Sequence, residues 1–159
     1  MMRSKPRLIA LTGPKGVGKS TYAKFIAGEN GVVLSFATPL KEMLRTIVDD
    51  AYIFGNKKGE VIPHLGVTGR YCLQTLGTEW GRTVNKDIWV NCMRNKLTKA
   101  LFDEYHPVII DDLRFENEAK LVHELDGEVW ELDRKNFVPE LDCHVSEAGV
   151  SSVDRMVLI

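Results

Sequence analysis

Long apolar runs are absent from this chain: none approaches the ~20 consecutive residues that a membrane-spanning helix requires. An excess of either charge is absent as well, since 21 Lys and Arg against 22 Asp and Glu leave a formal net charge of -1. That balance supplies no broad field for non-specific nucleic-acid or membrane binding, although a local basic cleft stays compatible with it. Cysteine is scarce: Cys72, Cys92 and Cys143 are odd in number and widely spread, which fits reduced thiols and not a disulfide framework. Cys143 stands beside His144, but no further ligands lie at zinc spacing, and His64, His106 and His123 read as surface or turn residues. Repeats, low-complexity tracts and a linker are missing too, so the 159 residues are expected to form a single domain, 1–159. The start, Met1 to Arg7, is basic, yet the apolar stretch after it is short and enters a glycine-rich loop. It does not read as a signal peptide, and a cytoplasmic protein is expected.

What is present begins with Gly13-Pro14-Lys15-Gly16-Val17-Gly18-Lys19-Ser20, preceded by the apolar run Leu8 to Leu11. This is the G-x-x-x-x-G-K-[ST] spacing of a phosphate-binding loop, entered by a strand buried on both faces and left by a helix from Ser20 and Thr21 to Ala27. Tyr22, Phe25 and Ile26 are expected to share one helical face. Glycines at these positions let backbone N–H groups turn inward on a polyphosphate, and the helix adds its positive end. Lys19 is expected on the β- and γ-phosphates, and the Ser20 hydroxyl on Mg²⁺.

Further along, Val32 to Phe36 reads as a second buried strand, and Thr38-Pro39 as the cap and first position of a helix with an apolar stripe of Leu40, Met43, Leu44, Ile47 and Val48. Ser35, Phe36 and Ala37 would open beside the phosphate loop, since ligands of open α/β sheets sit at the carboxyl ends of strands. From Asp49 to Thr68 the pattern is interrupted, which predicts an exposed connection with short helical pieces or a substrate-covering role. In Gly69 to Arg82, Gly77-Thr78 and Gly81 are expected to break the helix and leave Glu79, Trp80 and Arg82 around a turn. With Arg70 these are the residue types that a nucleotide's phosphate and base require, and equally those of a helix end with a buried Trp and surface ion pairs.

Asp87 caps a helix to about Phe102 with Trp89, Met93 and Leu97 in the core. Pro107 to Asp112 is a third strand that ends in two acids, the form of a Walker B segment. A helix over Glu116 to Leu125 follows, closed by Asp126-Gly127, then a less deeply buried strand Glu128 to Leu132 and a fifth strand Met156 to Ile159. Asp133 to Asn136 sits at the carboxyl end of the fourth strand, where a mobile, positively charged lid belongs. A regulatory GTPase would need an N-K-x-D segment after a strand and D-x-x-G after the Walker acid. Asn85-Lys86-Asp87 is one residue short and precedes a helix, and Phe115 stands where the glycine belongs. A DNA-dependent ATPase would bring a larger sheet and a basic surface.

The blocks Ser35-Phe36-Ala37 with Pro39-Leu40-Lys41, Leu76-Gly77-Thr78-Glu79 with Arg82, Asp112-Leu113-Arg114-Phe115 with Asn117-Glu118, and Asp142-x-His144-x-Ser146-Glu147 are, with the phosphate loop, similar to the bacteriophage-type deoxynucleoside monophosphate kinases. The resemblance implies a three-layer α/β/α P-loop kinase fold around a parallel sheet of about five strands. It implies transfer of the γ-phosphoryl of ATP, with Mg²⁺, to a deoxynucleoside 5′-monophosphate. The donor would be held by Gly13, Lys15, Gly16, Val17, Gly18, Lys19, Ser20 and Thr21, and Mg²⁺ by Ser20 with Asp112, Asp111 being the second choice. Arg134 would meet the transferring phosphoryl from a lid over about 133–147, and Lys19 and Arg114 would also act in the transfer. Arg70, Arg82 and Arg114 would grip the acceptor phosphate, and Phe36, Glu79 and Trp80 its base and sugar, in an acceptor region of about 49–86. The partner implied is a small nucleotide and not a nucleic acid or membrane, with the protein a monomer or homodimer, in host cytoplasm if phage-encoded. The alternatives are a nucleotide-binding regulatory module and an ATPase without an acceptor. The resemblance also leads one to expect a polar turn near the adenine and a terminal helix after the fifth strand; without them that strand end would favour self-association.

Overall fold

A computed structural model describes residues 6–103, 106–141 and 144–159. Asp142 and Cys143 of the last sequence block lie outside these residues, as does the start, 1–5. The chain divides into two compact units, one of Met1–Phe36 with Val90–Ile159 and the other of Ala37–Trp89.

The first unit is built on five parallel strands: β1 (Leu8–Thr12), β2 (Val32–Leu34), β3 (Val108–Ile110), β4 (Glu128–Asp133) and β5 (Arg155–Leu158), in the order β2-β3-β1-β4-β5. β1 is central and buried along its whole length, as its unbroken apolar run requires. On one face Ile9 and Leu11 pack with Val17, Ala23, Ala27, Ile109 and Leu132. Helices cover both faces and complete the expected three layers. They are α1 (Lys19–Ala27), α5 (Ile88–Phe102), which begins in the second unit, and α6 (Glu116–Glu124).

Three details differ from the sequence expectation. α1 turns its small residues Ala23 and Ala27 to the sheet, with Tyr22 and Ile26 flanking, so Phe25 is left 78% exposed. β2 is half-buried and not buried, because it is an edge strand. The helix after it, α2 (Thr38–Leu44), is capped by Ala37 and not Thr38, and it stops before Ile47, leaving Met43 and Ile47 exposed. Trp89, Met93 and Leu97 of α5 are buried as expected, and β4 is less deeply buried than β1 as expected, but its buried residues Val129 and Leu132 are three apart and do not alternate.

The second unit has its own core of Leu44, Val48, Ile53 and Ile62, packed by Tyr52, Cys72, Leu73 and Leu76. The interrupted stretch after Val48 does form short pieces. They are α3 (Asp50–Ile53), capped by the Asp49 carboxylate at 2.9 Å from the Ala51 N–H, a 3-10 turn (Asn56–Gly59) and an antiparallel bridge of Val61 with Thr68. α4 (Gly69–Gln74) starts at Thr68, whose hydroxyl accepts from the Tyr71 N–H at 3.1 Å. The expected break at Gly77 and Gly81 does not occur: α4 runs straight into a π-helix over Thr75–Arg82. The glycines are there for close approach, since a Cβ on Gly81 would lie 2.6 Å from Trp89 Cζ2 and one on Gly77 would lie 3.2 Å from Leu40 Cδ1. Among the described residues no helix is long and apolar enough to cross a membrane.

Candidate active site

β1 and β3 are neighbours, and the chain runs from β1 outward to β2 on one side and from β3 across β1 to β4 on the other. The carboxyl ends of two such strands form the topological switch point at which open α/β sheets bind ligands. Here they carry the glycine-rich loop and the pair Asp111 and Asp112.

The loop has the backbone its sequence requires. Gly13, Gly16 and Gly18 have φ of 134°, 80° and 113°, all in the region that side chains disfavour. At Gly13 space is short as well: a Cβ would lie 2.6 Å from the Leu132 carbonyl oxygen at the end of β4. Val17 anchors the loop by its fully buried side chain and gives its own N–H to the Pro14 carbonyl at 3.3 Å. α1 begins immediately after Gly18, so its unpaired N–H groups and positive end face the loop.

Lys19 lies part-buried along the loop, with Nζ donating to the carbonyls of Gly13 (2.8 Å) and Pro14 (3.0 Å). Burial pulls its pKa down to about 8, the nearby Arg114 guanidinium adds to this, and Asp112 and Asp111 oppose it. The Ser20 hydroxyl donates to Asp111 Oδ2 at 2.9 Å. Asp112 points elsewhere: its carboxylate accepts from the Ser35 hydroxyl at 2.6 Å and from the Phe36 N–H at 2.8 Å, tying the end of β2 to the end of β3. The structure thus brings Asp111, the second choice by sequence, to Ser20. Hydroxyl and carboxylate oxygens side by side are a hard donor set, suited to Mg²⁺ that takes its other ligands from phosphates and water.

Arg114 forms an ion pair with Glu147 and reaches the Ser146 carbonyl at 3.4 Å. Its backbone is fixed from the other side, since the buried Glu118 carboxylate accepts the N–H groups of Arg114 (2.8 Å) and Phe115 (3.1 Å) at the start of α6. The D-x-R-F-x-N-E block is therefore in part a capping device that aims Arg114. Arg134, just after β4, stacks over the Phe137 ring at 5.0 Å. A Cβ on Gly16 would lie 3.7 Å from that ring, and Lys15 pairs with Glu140 at 2.7 Å, so the 134–140 stretch lies against the phosphate loop. Sequence alone missed Phe137 and Glu140, which no motif marks, and the hold of Ser35 on Asp112.

Of the other candidates, Arg70, Glu79, Trp80 and Arg82 belong to the second unit, and Thr21 and Phe36 to the first. Arg70 is half-buried in the first turn of α4; Glu79, Trp80 and Arg82 stand on the π-helix, Trp80 being 47% exposed. Arg82 Nη1 donates to the Lys86 carbonyl at 3.2 Å. Phe36 is buried at the end of β2, and Thr21 is exposed on the first turn of α1. No group of three or more His, Cys, Asp or Glu that would hold a metal by themselves is found among the described residues.

Comparison with known proteins adds a family. The sequence profile described as deoxynucleotide monophosphate kinase matches residues 65–159, a span with the π-helix and Arg114 blocks but without the phosphate loop. A protein of Acanthamoeba polyphaga mimivirus named "Putative deoxynucleotide monophosphate kinase" is 32% identical over 161 residues, covering 92% of this chain and 83% of that one. Among solved structures, the tunicamycin resistance protein of Deinococcus radiodurans is 13% identical, with a TM-score of 0.49 over 96% of this chain and 86% of that one.

Proposed function

The chain belongs to the deoxynucleotide monophosphate kinase family, and on that premise we propose that it moves the γ-phosphoryl of ATP to a deoxynucleoside 5′-monophosphate, giving ADP and a deoxynucleoside diphosphate. The observation that carries this reading is the join of Ser20 to Asp111 at 2.9 Å beside a phosphate loop whose lysine is folded against the loop's own carbonyls.

Phosphoryl transfer asks a protein for alignment and charge neutralisation more than for covalent chemistry. The loop N–H groups and the start of α1 hold the donor's phosphates. Lys19 leaves the carbonyls of Gly13 and Pro14 for the β- and γ-phosphate oxygens, a favourable exchange for an ammonium that burial already penalises. Ser20 and Asp111 would hold Mg²⁺, which would supply positive charge against that of the donor's phosphates. Lys15 exchanges Glu140 for phosphate, and Arg134 comes from the same stretch to the transferring group. Arg114, aimed by Glu118 and Glu147, offers its remaining N–H groups to phosphate oxygens. Arg70 and Arg82 bind the acceptor's phosphate, and Phe36, Glu79 and Trp80 its sugar and base. An acceptor phosphate oxygen then attacks the γ-phosphorus in line, and ADP leaves.

The test is ADP formation with Mg²⁺ and ATP against a panel of deoxy- and ribonucleoside monophosphates. Release of ADP that depends on one or more deoxynucleoside monophosphates is expected. Release without any acceptor would favour an ATPase, and nucleotide binding without release a sensor.

A further inference from the structure

The π-helix of the second unit needs an explanation of its own. Such wide turns are rare, and this one contains Gly77 and Gly81, which make any helix less stable. A single contact offsets this. The buried Trp89 donates its indole N–H to the Gly77 carbonyl at 2.7 Å, and its ring lies close against Gly81, where a Cβ would stand 2.6 Å from Cζ2 and 2.8 Å from Cε2 and Nε1. A carbonyl accepts twice, so Gly77 can serve both the helix and the indole. Glu79 and Trp80 sit between these two anchor points and Arg82 follows the second.

We propose that Trp89 is a positioning residue for the acceptor nucleotide: by clamping Gly77 and Gly81 it keeps this segment π-helical and so sets the directions of Glu79, Trp80 and Arg82 without touching the nucleotide. The proposal rests on the reading that these three residues receive the acceptor. Relaxation of the segment to an α-helix removes one residue's worth of extra turn and swings the side chains beyond it by roughly 100° about the axis. Arg82 would then point away from where it now points. Ordinary core packing accounts for a buried Trp89, but not for an indole N–H on a glycine carbonyl combined with a glycine at the one place where the ring needs it.

The experiment compares wild type, Trp89→Phe, Arg82→Ala and the double variant for kcat, both KM values and melting temperature. Trp89→Phe keeps an apolar ring and removes the donor. Its acceptor KM is expected to rise roughly five- to tenfold, the size of a lost buried hydrogen bond, with the ATP KM unchanged. In the Arg82→Ala background the same change is expected to cost less than in wild type, since only the share carried by Glu79 and Trp80 remains. Equal rises in both KM values, an unchanged acceptor KM, or a full Trp89 effect without Arg82 would each overturn the proposal. Hydrogen exchange of the amides in 75–85, measured without nucleotide, separates the premise from the clamp. Faster exchange in Trp89→Phe supports the clamp and unchanged exchange overturns it, while an unchanged acceptor KM in Arg82→Ala overturns the acceptor reading. If Trp89→Phe does not fold, Gly81→Ala, which presses on the ring without removing it, carries the same readouts.

Discussion

At the scale of single residues, the two neighbouring aspartates take different partners, Asp111 the Ser20 hydroxyl and Asp112 Ser35 and Phe36. Successive residues leaving β3 face opposite ways, and the parallel register that sets Ala10 against Ile110 decides which acid meets Ser20. No motif contains that register, so Asp112 looked the better metal ligand from sequence, and only the folded strands show Asp111 beside Ser20. Asp111→Asn is expected to raise the Mg²⁺ concentration needed for half-maximal rate while the melting temperature stays near wild type. Asp112→Asn weakens the hold on Ser35 and Phe36 and is expected to cost about 1–3 kcal/mol of stability, read from denaturant unfolding. The reverse pattern would exchange their roles. Lys19→Ala is expected to lower turnover by orders of magnitude with the fold intact, since its loss removes a buried charge and two hydrogen bonds made to the loop's own carbonyls. Near-normal turnover would remove Lys19 from the mechanism.

Among the elements, legibility followed how local the cause is. The strand, loop and helix around Gly13 to Ser20 are local and were readable, as were the bounds of α5 and the shallower burial of β4, though not an alternation in it. The π-helix was not, because its glycines read as breakers until the ring of Trp89, eight residues beyond Gly81, is placed on them. α1 misled in a smaller way: Ala23 and Ala27 win the sheet face because their size brings the helix close, and the larger Phe25 is turned out. α6 supplies a pH-dependent tie. Glu116, in its first turn, accepts hydrogen bonds from the Ser152 hydroxyl (2.6 Å) and from the Ser151 N–H and hydroxyl, which hold its pKa down at about 2. A depressed carboxylate pKa contributes stability that is fully present above the ordinary value of 4.5 and lost as pH falls towards 2. The melting temperature of wild type should therefore exceed that of Glu116→Gln at pH 6 by a small margin that closes as pH is lowered to 2. A margin independent of pH would mean that the Ser151 and Ser152 bonds do not depend on the charge.

For the whole molecule, the sequence contains the order of the elements but not the order of the strands or the division into units. Ala37–Trp89 is inserted between β2 and β3; it opens directly at the start of α2 and closes inside α5, which runs across the second boundary, so no linker composition announces it. The donor-side candidates Lys15, Lys19, Ser20, Asp111, Arg114 and Arg134 fall in one unit, and Arg70, Glu79, Trp80 and Arg82 in the other. A non-hydrolysable ATP analogue with Mg²⁺ is expected to raise the melting temperature of wild type, by linkage worth about 2.7 kcal/mol at a hundred times its Kd, and to do so far less in Lys19→Ala. Binding alone leaves the acceptor undecided. The most direct measurement is to supply ATP labelled at its γ-phosphoryl, with Mg²⁺ and each deoxynucleoside monophosphate in turn, and to follow the label. The account predicts label in the β-position of a deoxynucleoside diphosphate, and its loss in Lys19→Ala. Label recovered only as inorganic phosphate, or retained in ATP that is demonstrably bound, would contradict it.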